Sequence, residues 1–180
     1  MSKPVDFAGF FATPEPPELG PGPRKRVEGK AVLEEQLKPL LDVSGLPGER
    51  RELIRAMILL WHDHLDAAHA IAQTVEGADG AFVHGIMHRR EPDFGNAAYW
   101  FRRVGRHPAF NEIASRTATV LHADSHRDLL GKLVRNREWD PFAFIDACEA
   151  ASSKSGPNQG VLREVQRIEF KALLDYLCKV

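Results

Sequence analysis

The sequence predicts an all-α fold of packed antiparallel helical hairpins, seven or eight helices behind an extended proline-rich arm. Three observations carry that prediction. From residue 30 onward apolar residues recur at three- and four-residue spacing, with no convincing two-residue alternation. Helix stop and start signals recur in short connections, as in Ser44-Gly45-Leu46-Pro47-Gly48 and Glu91-Pro92-Asp93. Pro14, Pro16, Pro17, Pro21 and Pro23 deny the N-terminal stretch both a helix and a central strand, because proline fixes φ and removes an amide donor. The chain therefore reads as an arm over residues 1–30 and one all-α domain over 31–180, which suits 180 residues.

In the arm, Phe7, Phe10 and Phe11 are candidate anchors to the body, and Pro23-Arg24-Lys25-Arg26 reads as a solvated basic turn. Leu33, Leu37, Leu40 and Leu41 mark the first helix. Residues 49 to about 74 read as one long amphipathic helix, with Leu53, Met57, Leu60, Trp61, Ala68 and Ile71 on one face. Gly77-Ala78-Asp79-Gly80 reads as the turn that ends it, with Asp79 capping a helix to about Arg90. Asp93 is the N-cap of a helix through Val104, Gly105 stops that helix, and Pro108 opens the next. Asp124 or Ser125 would cap a helix to about Arg137, and Asp140-Pro141 pairs an N-cap with an N1 proline. Ser152 to Gly160 is a polar loop, and Val165, Ile168, Leu173, Leu174 and Leu177 mark a final helix over Val161 to Lys179.

Twenty-four basic residues balance 25 acidic ones, so no global field favours nucleic acid or an anionic membrane. No apolar run approaches the roughly 20 residues of a membrane span, and Met1 to Asp6 carry no apolar signal segment. With Cys148 and Cys178 as its only cysteines, both in apolar helical contexts, the chain reads as cytoplasmic with reduced thiols. No nucleophile elbow, P-loop or dinucleotide fingerprint is present.

Asp93-Phe94-Gly95-Asn96-Ala97-Ala98-Tyr99-Trp100-Phe101-Arg102-Arg103-Val104-Gly105 resembles the second helix of a Sel1-like or tetratricopeptide repeat, with Ala97, Trp100, Phe101 and Gly105 in the family's order and Pro108 near its proline. Asp66-Ala67-Ala68-His69 echoes the same slot one repeat earlier. The resemblance covers about 45 residues. It implies helical hairpins, with repeat-like superhelical stacking as one form of the fold, and a surface for a peptide or partner protein. Trp61 to Pro108 also resembles a family of all-α bacterial and fungal proteins with no assigned activity, so that likeness implies no function.

Five of eight histidines lie between His62 and His88. On a continuous helix His62, Asp66 and His69 share a face, while His64 falls on the apolar side and reads as a core histidine bonded to a carbonyl. His84 and His88 are one turn apart, with Glu91 beyond, and Ala81 and Gly85 beside them would let another helix approach closely. His84, His88, His69 and His62 are candidate metal ligands, since imidazole with carboxylate suits Zn(II) or non-haem Fe(II). His84 and His88 are also the candidate catalytic groups. Gly85 stands where a zincin has its glutamate, which argues against that hydrolase class. Asn96, Tyr99 and Arg103 share the polar face of the next helix, and Arg89, Arg90, Arg102 and Arg106 add cations nearby. With His62, Asp66 and His69 they are the candidate ligand-binding residues, suited to a small polar or anionic molecule. Trp100 reads as core. Three readings stay open: a metal site, a metal-free pocket, and a structural hydrogen-bond network in a non-enzymatic interaction module.

Overall fold

The computed structural model describes residues 5–121, 126–152 and 158–179. The described chain is all-α. Its helices are α1 Lys30–Val43, α2 Gly48–Trp61, α3 Leu65–Ala72, α4 Gly77–Arg90, α5 Phe94–Val104, α6 Ala109–Val120, α7 Arg127–Leu133, α8 Pro141–Ala150 and α9 Gln159–Leu177. A 3-10 turn at Ala8–Phe11 precedes them. The predicted caps at Asp93 and Asp140 form: Asp93 accepts the Asn96 N–H at 3.1 Å, and Asp140 accepts those of Phe142 and Ala143 at 3.0 Å.

Two boundaries differ from the sequence reading. Where one helix to about Arg137 was expected, α7 gives way to a short antiparallel ribbon, β1 (Val134–Arg135) and β2 (Glu138–Trp139). Asn136 and Arg137 take φ of 51° and 66°, the left-handed conformations of a tight two-residue hairpin. The Asp124 and Ser125 caps lie outside the described residues. Gly77 to Gly80 form the first turn of α4 instead of ending the previous helix. A β-carbon at Gly80 would come within 2.1 Å of the Val75 carbonyl oxygen, so only glycine fits this close return.

The largest correction concerns residues 49–74. The chain breaks between α2 and α3 at His62-Asp63-His64, where Asp63 has φ of 66°. What holds a non-glycine residue there is its side chain. The Asp63 carboxylate is fully buried and accepts the backbone N–H and Nε–H of Arg24, at 2.8 and 3.0 Å, and an Arg90 guanidinium N–H at 2.7 Å. Burial alone would raise the Asp63 pKa, but the Arg24 N–H and the Arg90 charge outweigh it and hold it below the usual carboxylate range. Arg90 also donates to the carbonyls of Leu60 and Gly20, and Arg24 to that of Trp61. Burial pushes the Arg90 pKa down to about 10 against the pull of Asp63, so it stays cationic at neutral pH.

The same break clasps the arm. His62 uses both ring nitrogens, accepting the Glu28 N–H at 3.1 Å and bonding the Phe10 carbonyl at 2.8 Å. His64 bonds the Glu28 carbonyl at 2.8 Å, the carbonyl partner expected of it, although it is only half-buried. Arg24, read as part of a solvated turn, is instead 7% exposed in its side chain. Phe7 and Phe11 are buried, and Phe11 meets Trp61 at 5.2 Å between ring centroids. Trp61 in turn meets Phe170 of α9 at 5.3 Å. Gln166 of α9 donates to the carbonyls of Pro17 and Glu18, both at 3.1 Å. Residues 12–29 form no helix or strand, yet the core includes Leu19.

α4 lies at the centre, with every residue from Gly80 to Arg90 buried. Arg89 pairs with Glu169 of α9, both fully buried, and lies 4.3 Å over the Phe144 ring. Cys148 and Cys178 are free thiols. No helix among the described residues is long and apolar enough to cross a membrane.

Replacing Asp63 by Ala strands the buried Arg90 without its counter-charge. The expected cost is about 3–5 kcal/mol in urea unfolding; a cost near zero would show that Asp63 does not hold the break.

Candidate functional site

α3 and α4 bring three histidines together. His69 lies 5.2 Å from His84 and 5.3 Å from His88, and His84 and His88 are 6.0 Å apart with rings nearly parallel at 11°. His84 and His88 are 2% and 6% exposed, while His69 is half-buried. α5 completes the site. Trp100 stacks on His84 with ring centroids 4.1 Å apart and planes within 7°. The Asn96 amide lies 3.2 Å from His88 Nε2. Glu91, just past the end of α4, places a carboxylate oxygen 3.3 Å from His88 Nδ1.

The close approach of α5 depends on Gly85, as the small-residue pattern suggested. A β-carbon there would come within 2.6 Å of the Phe101 ring. Phe101 is buried against Phe82 at 5.4 Å, so the ring has little room to retreat.

Burial and charge set the protonation of the cluster. His84 is pushed down to about 4, first by burial and then by repulsion from His69 and His88. Its Nδ1 is buried and makes no well-formed hydrogen bond, although the Gly80 carbonyl one turn back favours the protonated ring. Burial also lowers His88, partly offset by Glu91. Both are therefore neutral at pH 7, each offering one donor and one acceptor nitrogen.

Not all of the sequence candidates meet here. His62 is drawn away by the break at Asp63 and serves the arm, so it does not share a face with Asp66 and His69. Asp66 is exposed on α3, and no hydrogen bond or ion pair joins it to the three histidines among the described residues. Tyr99 is 47% exposed at the rim, edge-on to Trp100 at 5.4 Å. Arg103 is exposed, its guanidinium 5.5 Å from the Trp100 ring and 5.9 Å from that of Tyr99. Arg89 and Arg90 leave the basic face altogether, because their ion pairs are buried. Trp100, read as core, is only half-buried and forms one wall. Its position four residues after Asn96 places both on one side of α5, a signal the sequence did carry.

Among the described residues no group of three His, Cys, Asp or Glu side chains is arranged to hold a metal ion. Searches with the chain find no matching family model, no matching curated protein and no matching solved structure.

Two outcomes follow from this packing. Gly85→Ala should cost about 1–3 kcal/mol by overpacking against Phe101, read from urea midpoints. The unfolded chain takes up protons on His84 and His88 more readily than the fold, so the stability they supply is complete above the ordinary histidine value of 6.5 and is lost as pH falls, for His84 toward about 4. The urea midpoint should fall across that window, and less steeply in His84→Gln.

Proposed function

We propose that the His69, His84 and His88 cluster, with Asn96, Trp100 and Arg103 at its rim, binds a small anionic ligand without a metal. One observation carries this reading: the buried Nδ1 of His84, which makes no well-formed hydrogen bond, beside two further imidazoles. Buried polar atoms are almost always paired, and one so poorly paired at the edge of a cluster is a group that a ligand completes. Arg103 supports the sign of the ligand. Among the described residues its guanidinium has no acid partner, and its planar fork suits a carboxylate or phosphate. His69 and Trp100, both half-buried, are the members of the cluster that reach the surface.

Linkage gives this reading a sign. An anion stabilises imidazolium, so its binding draws protons onto His84 and His88, and its affinity rises as pH falls from about 7.5 to 5.5. A metal ion needs deprotonated imidazole and behaves oppositely. Calorimetric titration with sulfate and with oxalate should give tighter binding at the lower pH. His84→Ala should lose about tenfold or more in affinity while keeping the helical circular dichroism spectrum. Binding that tightens with rising pH for Zn(II) alone, or stoichiometric metal in purified protein that disappears in His84→Ala/His88→Ala, would replace this reading with a metal site. Loss of the helical spectrum in His84→Ala would make the cluster a structural network.

A further inference from the structure

A second site lies away from the histidine cluster, and it rests on different residues. The connection from α5 to α6, the first turn of α6, β2 and the start of α8 line an open cleft of about 440 Å³ whose lining includes Arg106, Phe110, Asn111, Glu138, Trp139 and Phe142. That volume suits a small molecule. Three aromatic side chains, Phe110, Trp139 and Phe142, stand in a wall that is otherwise mixed in polarity. Phe142 is 40% exposed, the kind of surface ring that a ligand covers. Phe110 is half-buried and braced against Phe82 at 5.4 Å between centroids. Trp139 is 5% exposed, and its indole N–H is buried with no hydrogen-bond partner.

The charges of the lining decide the ligand class. Arg106 and Glu138 are both exposed, and neither side chain has an ion-pair or hydrogen-bond partner among the described residues. A simple anion would gain Arg106 but meet Glu138, and a simple cation would face the reverse. A zwitterion satisfies both. His107 also borders the cleft but is already committed, accepting the Ala109 N–H at 3.1 Å and bonding Asp79 at 2.9 Å.

We propose that this cleft binds a free α-amino acid with an aromatic side chain. The carboxylate meets Arg106 and the Asn111 amide, the ammonium meets Glu138, and the ring lies between Phe110 and Phe142. Edge and face contacts between rings add specificity for an aromatic over an aliphatic side chain.

The test is calorimetric titration of the full chain with L-phenylalanine and L-tryptophan, beside 3-phenylpropionate, phenethylamine and L-alanine. The aromatic amino acids should bind, and each of the three comparison molecules, lacking one charge or the ring, should bind at least about tenfold more weakly. Arg106→Ala and Glu138→Ala should each weaken binding of the amino acids to a similar extent. Both residues are exposed, so circular dichroism should be unchanged. No binding of either aromatic amino acid at millimolar concentration would overturn the proposal. So would equal affinity for 3-phenylpropionate, or wild-type affinity in both variants.

Discussion

One buried carboxylate organises much of this molecule. Asp63 sits in a left-handed conformation that an ordinary side chain avoids, and it stays there because two arginines from distant parts of the chain converge on it. The interaction acts at three levels at once. It ends α2, it turns the chain into α3, and it fixes both the arm through Arg24 and the central helix through Arg90. Ion pairs of this kind contribute little net stability compared with an apolar equivalent, but they tolerate no missing partner. Their effect here is to make one arrangement of arm, break and helix far better than its neighbours.

The histidine cluster is a consequence of that turn. A straight helix over residues 49–74 would have carried His62, Asp66 and His69 along one stripe. The break frees α3 to set its own direction, and His69 then faces His84 and His88 while His62 faces the arm. The two adjacent arginines at the end of α4 fare differently because they meet different partners, Arg89 the Glu169 carboxylate of α9 and Arg90 the break itself. Both lose solvent, but for Arg89 the pairing with Glu169 outweighs burial and raises its pKa, while for Arg90 burial outweighs Asp63, with Arg24 and Arg89 adding repulsion, and its pKa falls. Beyond the two ion pairs, the core is packed hydrocarbon and aromatic rings from the arm and all nine helices of the described residues.

The helical class, the Asp93 and Asp140 caps and the Gly105 stop were legible because each depends on residues only a few positions apart. The pairing of α4 with α5 was legible in part, through Gly85. The break at Asp63 was not. Its periodicity is helical on both sides, and the residues that overrule it, Arg24 and Arg90, lie 39 and 27 positions away. For the same reason the basic run at Arg24 and the pair Arg89-Arg90 looked solvated. A sequence read locally assigns charged side chains to water unless their distant partners are known. His69, His84 and His88 were legible as candidates, and Trp100 was legible too from its place four residues after Asn96, a signal outweighed by the ordinary placement of tryptophan in the core.

The arm has a consequence for the order in which the molecule assembles. Its polar contacts with α9 join residues 146 to 149 positions apart, Pro16, Pro17 and Glu18 with Arg163 and Gln166. Closing loops of that length is entropically costly until most of the chain is already in place, and contacts so distant in sequence slow folding. On a ribosome the arm is made long before α9, so these particular contacts form late. Until α9 arrives, the Phe11 and Trp61 rings lack the Phe170 ring that covers them. Between the synthesis of α2 and that of α9 the nascent chain therefore carries an aromatic surface that only the last helix covers.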